Sequence, residues 1–309
     1  MAVRHAERFV VQPGDCTRLD QFLARHVSGC SRRLARTAIA SGAVRVNARP
    51  GRKGQTLQVG DVVDAELAIL DSEPAAQPEL GLPILYADHV LVAVDKPAGM
   101  PAVALRTDDR NTVANFLLGR FPDLRGAGGS VFEAGLAHRL DSPTSGVLVA
   151  ARTREAWQDL RTQFRTRRVA KLYLAVVIGA VARRGTVTSP IAHQPRRPRA
   201  MCVCTDPQRA RAWRARPAIT RYRPLRRGDS RTLLAVSIPT GARHQIRVHL
   251  ASIGHPVVGD TLYGNASAST SPRLLLHAVR LAFAHPVDGR RIVVRSPVPA
   301  DIRDAALHG

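Results

Sequence analysis

Between residues 17 and 68 the apolar positions fall first at helical spacing and then at strand spacing. Leu19, Phe22, Leu23, His26 and Val27 recur three and four apart and predict one short helix. Leu34, Ala35, Ala38 and Ile39 mark the apolar face of a second, with Ser31 placed to cap its start and Gly42 placed to end it. Two short apolar runs follow, Val44–Val46 and 59–63, the latter interrupted by Gly60-Asp61, and both read as strands. This is a small helix-helix-strand unit with a single apolar side.

The pattern then lapses. DSEPAAQPELGLP (71–83) is Pro-rich and acidic and carries no long apolar periodicity, so it reads as a linker. Beyond it LVAVDKPAG (91–99) is a strand ending in a Pro/Gly turn, and 112–121 is an amphipathic helix through Val113, Phe116 and Leu117. The run 146–151 is a buried strand, and Thr153 can cap a helix carrying Ala156, Leu160 and Phe164. Further strands are expected at 171–179, 218–222, 232–238, 274–283 and 292–294. Strands outnumber helices and connections are short, which predicts an α+β fold with a mixed, largely antiparallel β-sheet and not a doubly wound one. The expected division is an N-terminal extension at 1–16, the small unit at 17–70, a linker at 71–82 and a large domain at 83–309.

Composition changes the picture by naming a class of partner. The 309 residues carry a formal net charge of +22, and lysine accounts only for Lys53, Lys96 and Lys171 among the 46 basic residues. Arginine's planar fork suits phosphate, so a polyanion such as nucleic acid is the expected partner. Aromatic residues make up only 4%, which argues for reading the backbone and shape of a folded RNA over stacking a run of bases. Arg32, Arg33 and Arg36 share one face of the second helix, and Arg45, Arg49, Arg52 and Lys53 extend the charge beyond it. With no acid between Asp20 and Asp61 that face reads as unpaired. No signal-peptide pattern or membrane-length apolar run is present, so a soluble cytoplasmic protein is expected; the sequence leaves its oligomeric state open, with a monomer favoured. The four cysteines lack zinc spacing, and no metal site is expected.

Candidate chemistry is narrowed by what is missing. There is no P-loop, no GxGxxG, no HExxH and no serine-nucleophile elbow, so any reaction runs on ordinary side chains without a cofactor that the sequence announces. Three segments stand out: HRLDSPTSG (138–146), with one acid before a turn; KLYLA (171–175), with a tyrosine in an aliphatic strand; and PTGARHQIRVHLASIGHPVVGDTLYG (239–264). The last reads as a helix with Ile246, Leu250 and Ile253 inward, Arg243 and Arg247 one turn apart on another face, and Gly254 at its end.

Together these segments resemble the RluA family of RNA pseudouridine synthases, whose motifs are HRLDxxTSG, KxYxA and TGxxHQIRVHLAxIGHPxxGDxxYG. YADHVLVAVDKPAG, ARPAITRYRPL and LLLHAVRLAFAHP agree more weakly, and the likeness spans roughly 83–296. RLDQFLARH, SRRLARTAIASGAVRVNARP and VGDVV resemble an S4 RNA-binding domain. The resemblance implies isomerisation of uridine to pseudouridine without a cofactor: the bond from C1′ to N1 breaks, the uracil turns, and C5 joins C1′. It implies Asp141 as the catalytic carboxylate, Tyr173 as the ring packing on the target base and Arg247 as the partner of the carboxylate. It implies support from His138, Arg139, Thr144 and Ile246, and RNA contact by Arg32, Arg33, Arg36, Arg45, Arg49 and Lys53. His244, His249, His255 and His277 read as structural, with contact to RNA as their other reading. Attack at C1′, addition to the ring and removal of the C2′ proton remain alternative routes for Asp141.

Two departures bear on which uridine is chosen. Ser142-Pro143 replaces the charged pair that many members carry after the aspartate, and Met100-Pro101-Ala102-Val103 follows KPAG without the usual Val-His. Large-subunit (23S) ribosomal RNA is the expected substrate. Transfer RNA, a catalytically silent ribosome assembly factor and a DNA-binding protein are the other readings.

Overall fold

The structure, a computed structural model, describes residues 2–27, 30, 32–70, 74–106, 108–195, 197, 199–264 and 271–307. The N-terminal part comprises β1 (Ala2–Val10), α1 (Leu19–His26), α2 (Arg32–Ala40), β2 (Val44–Val46), β3 (Arg49–Pro50) and β4 (Val62–Leu70). Its strands form an antiparallel sheet in the order β1-β4-β2-β3. Leu19, Phe22, Leu23, Ala35, Ile39, Val44, Val63 and Leu67 close the core between helices and sheet. The two helices are those the periodicity predicts, and Gly42 leaves α2 with φ +77. The expected cap Ser31 lies outside the described residues. Two features differ from expectation. Residues 2–10, read as an extension, pair along the whole of β4. The strand expected at 59–63 begins only at Val62 and continues to Leu70, because Val63, Ala65 and Leu67 alternate inward while Gly60 makes a turn at φ +90.

The larger part comprises β5 (Ile84–Ala87), β6 (Leu91–Lys96), α3 (Val113–Arg120), β7 (Ser145–Ala151), α4 (Arg154–Arg165), β8 (Ala170–Ile178), β9 (Gly185–Val187), β10 (Ile191–His193), β11 (Met201–Val203), α5 (Pro207–Ala212), β12 (Thr220–Arg227), β13 (Arg231–Ser237), α6 (Gln245–Ser252), β14 (Leu276–Ala284), β15 (Arg291–Arg295) and α7 (Ala300–Leu307). A nine-stranded sheet runs β5-β6-β7-β14-β8-β13-β12-β9, with β15 also on β14, while β10 and β11 form a separate ribbon. Only β7 and β14 pair in parallel, so the sheet is mixed and largely antiparallel, as the element pattern predicts.

Caps and packing explain the helices. Thr112 and Asn115 form a reciprocal capping box at the start of α3, and Thr153 accepts from the Ala156 amide at the start of α4. All seven residues of β7 are buried, Leu148 and Ala150 in the cluster containing Val113 and Leu117 of α3, and Val147 and Val149 in the cluster containing Ala156 and Leu160 of α4. The segment expected as a linker is docked: the Gln77 amide donates to Asn115 O, and Asn115 Nδ2 donates to Ala75 O. The arginine-rich stretch after Gln208 starts inside α5, whose first turn Asp206 caps through the Arg209 amide. Among the described residues no helix is long and apolar enough to cross a membrane.

Candidate active site

The turn carrying Asp141 sits between a buried approach and a buried exit. Leu140 is buried before it, and Thr144, buried after it, closes the turn with its amide on Asp141 O at 2.9 Å. His138 ties the approach to β7: Nε2 accepts from the Val149 amide at 3.2 Å, and the ring stacks on Phe164 at 4.6 Å. Burial, then the nearby Lys171 and Arg161 charges, push the His138 pKa down to about 3, so the ring stays neutral and keeps that acceptor.

Beneath the turn lies Lys96, fully buried at the end of β6. Its Nζ donates to Pro97 O, Met100 O and Ser142 O at 2.8, 2.6 and 2.8 Å, and the Gly99 amide also donates to Ser142 O. Three protons on three carbonyls are the full complement of an ammonium. Burial pushes its pKa down to about 7, opposed by the charge of Asp141. Lys96 thus staples the KPAG turn to the turn that carries Asp141.

Facing the carboxylate is α6. Arg247, 5% exposed, donates from Nε and Nη2 to Asp260 Oδ2 and Oδ1, both at 2.7 Å, while its Nη1 stands 3.7 Å from Asp141 Oδ2. Burial works against the guanidinium charge, but the hydrogen bonds and charge of Asp260 outweigh it and raise the pKa. The Tyr263 ring lies under the guanidinium at 5.1 Å. His244, held at φ +55, places Nε2 3.9 Å from Asp141 Oδ1 and Nδ1 2.8 Å from the Tyr263 hydroxyl. Burial lowers its pKa, with Asp141 opposing. Gln245 fixes this corner by accepting from Ala242 N and donating to Ile219 O and Thr220 Oγ1.

Tyr173 completes the group from β8. It is 8% exposed and belongs to the same cluster as Leu140, Val236 and Ile246. Burial, and then the nearby Asp141, raise its pKa well above that of an ordinary phenol, so the ring is presented with its proton.

The fold therefore brings together Asp141, Tyr173 and Arg247, with His138, Thr144 and Ile246 packed behind them, whereas Arg139 is exposed. Arg243 does not stack on Arg247. The left-handed turn at His244 delays the helix to Gln245 and leaves Arg243 exposed ahead of it. On the N-terminal sheet Arg45, Arg49 and Lys53 are exposed, and the side chain of Arg33 lies outside the described residues. The face of α2 is not unpaired. Asp20, 2% exposed on α1, lies 2.9 Å from Arg18 and Arg36 and 3.5 Å from Arg32. Burial opposes its charge, but the hydrogen bonds from Arg18 and Arg36 prevail and lower its pKa. Sequence reasoning assigned no role to Lys96, Asp260 or Tyr263, although all three stand inside quoted motifs, and read His244 as structural or as an RNA contact.

Comparison with known proteins shows the family. The RNA pseudouridylate synthase family model matches residues 90–252, more than half of the chain, and the S4 domain model matches 17–63. The chain belongs to the RNA pseudouridylate synthases. Within that family the synthase is 36% identical over 299 residues to ribosomal large subunit pseudouridine synthase D of Xanthomonas campestris, covering 93% of this chain and 87% of that one. It is 36% identical to the synthase of the same name from Nitrosomonas europaea, covering 92% and 82%. An uncharacterized RNA pseudouridine synthase of Chloroflexus aurantiacus is 38% identical, covering 96% and 92%. Among solved structures, human RNA pseudouridylate synthase domain containing 1 is similar at a TM-score of 0.59 and 29% identity, covering 74% of this chain and 89% of that one. The synthase is thus an isomerase, with an S4 domain ahead of its nine-stranded sheet.

Proposed function

We propose that this synthase converts uridine to pseudouridine in large-subunit ribosomal RNA in the cytoplasm, with Asp141 as the carboxylate that acts on the target nucleotide. The observation that carries the reading is the position of Asp141 between the Arg247–Asp260 pair and Tyr173, on a turn stapled by Lys96. The reaction is internally balanced. The N1–C1′ bond breaks, the C5–C1′ bond forms, C5 gives up its proton and N1 gains one. A base inside a structured RNA must leave its stack to reach the carboxylate, and the Tyr173 ring is the surface for it to rest against. Because that phenol holds its proton firmly, Tyr173 contributes a ring face and a hydroxyl, not a resting phenolate. Arg247 holds a positive charge beside the carboxylate, and Asp260 fixes the plane of its fork. The relatives named for the ribosomal large subunit support the choice of RNA.

The test maps pseudouridine by a chemical adduct in total RNA from a strain lacking the protein. Sites in large-subunit ribosomal RNA are expected to disappear, to return with the unaltered protein and to stay absent with Asp141→Asn. In vitro the variant is expected to lose at least about 10³-fold in kcat while keeping its melting temperature. If no ribosomal site disappears, or if Asp141→Asn restores every site, the reading fails.

A further inference from the structure

The face of the large sheet turned away from Tyr173 carries arginines that the reaction does not use. Strand register fixes which side chains share it. Tyr173 stands opposite Val236, which stands opposite Tyr222, and this row belongs to the side packed by the main core cluster. The neighbouring row, Leu172, Ser237, Arg221 and Thr186, therefore projects from the other side, as does Arg223 opposite Ala235. These residues, with Arg184, line a groove of about 430 Å³. Leu172 and Ala235 form its apolar floor, Ser237 and Thr186 supply hydroxyls, and no carboxylate is among the lining residues. The row continues the other way through Arg280, opposite Leu172, to Arg295, opposite Arg280. The Nε of Arg280 is the one buried side-chain nitrogen or oxygen among the described residues with no hydrogen-bond partner.

A solvated sheet face commonly carries charge, yet it mixes signs or pairs them. Here Arg184, Arg221 and Arg223 converge on a concave surface with no carboxylate among its lining residues, so their mutual repulsion is relieved when an anion binds. A hydroxyl-bearing groove flanked by several guanidinium forks matches a chain of phosphodiesters better than one compact anion. Arg221 and Arg223 lie about 7 Å apart along their strand, so each can take a different phosphate.

We infer that this groove is a second RNA-binding site, which holds the sugar-phosphate backbone of the substrate RNA outside the stem that carries the target uridine. The inference rests on RNA being the substrate, but it is read by binding and not by turnover.

The test uses the full-length protein with Arg184→Ser, Arg221→Ser and Arg223→Ser combined, all exposed positions, so that the fold is retained. Affinity is measured against deproteinised large-subunit ribosomal RNA and against a short stem-loop carrying the modified uridine. The triple variant is expected to bind the long RNA at least about tenfold more weakly, and its log–log salt slope is expected to be shallower by about 2 to 3, one phosphate contact per arginine. Affinity for the stem-loop and pseudouridine yield on it are expected to stay at the unaltered level. Arg184→Lys, Arg221→Lys and Arg223→Lys combined are expected to keep the slope. An unchanged slope on the long RNA overturns the inference, and so does an equal loss on both RNAs, which would make the arginines part of the target site. If the unaltered protein makes no pseudouridine in ribosomal RNA, the proposed function falls, while the salt slope still decides the groove.

Discussion

Two of the chain's three lysines, Lys96 and Lys171, are drawn into the large sheet, where Lys96 Nζ donates to three backbone carbonyls and Lys171 Nζ to that of Thr240. An ammonium is a compact point donor and can satisfy carbonyls converging from three directions, which a flat guanidinium cannot. In a chain that otherwise uses arginine, the surviving lysines were the one signal in the sequence that could have marked Lys96. Asp141 was legible because its motif is contiguous. Asp260 and Tyr263 were not, because their roles depend on a fold that brings 260–263 back against α6. His138 shows the same dependence and makes a pH prediction. Its folded-state pKa of about 3 lies below the unfolded value of 6.5, so below pH 6.5 the unfolded chain takes up a proton that the folded chain refuses. Stability from this group is complete at neutral pH and is lost as pH falls from 6.5 towards 3. Urea unfolding at pH 7 and pH 5 is expected to show a loss about 2 kcal/mol larger for the unaltered protein than for His138→Gln. Equal losses in both proteins would remove His138 as the cause.

At the scale of elements the weak seam is the parallel pair between β7 and β14, which spans only His277↔Ser145 and Ala278↔Gly146. Gly146 has φ +114, and a Cβ there would stand 2.3 Å from Ala278 O and 2.7 Å from Ala278 N. Both the backbone conformation and the space demand glycine. Just beside it His277 bridges Ser145 Oγ and Ser296 Oγ, and Ser296 reaches Asp95. Gly146→Ala is accordingly expected to cost about 3 kcal/mol or more by urea denaturation, since both close contacts are backbone and cannot step aside. A cost under about 1 kcal/mol would mean that the two halves of the sheet slide freely. The helices α2 to α4 were legible because each pairs an apolar stripe with a cap or a terminating glycine. Helix α1 was legible by its apolar stripe alone, since Arg18 at its start makes no side-chain cap and Val27 ends it. The start of α6 was not, because His244 adopts its left-handed turn under the pull of Gln245 on Ile219 and Thr220, residues far away in sequence. The seam itself joins strands more than a hundred residues apart, and no local pattern announces it.

For the whole molecule, the charge of +22 includes exposed arginines on both the N-terminal sheet and the large sheet. On the N-terminal sheet Asp20 neutralises part of the α2 face, so the free charge shifts towards the β2–β3 hairpin and the loop after it. Asn47 and Ala48 turn that hairpin with φ +50 and +65, and Arg45, Arg49 and Lys53 are exposed on it or just beyond. None of the three belongs to the Asp141 site, so their effect is expected on binding and not on the chemical step. Arg45→Glu, Arg49→Glu and Lys53→Glu combined are expected to raise KM on ribosomal RNA at least about tenfold and to flatten the salt dependence of binding by about 2 to 3 in log–log slope. The kcat at saturating RNA is expected to stay within about twofold, because a contact made equally in ground and transition states alters KM alone. Steady-state kinetics across a salt series separates the outcomes. A fall in kcat with unchanged KM would place these charges in the positioning of the target uridine, and no change in either would leave the grip on RNA to the large sheet.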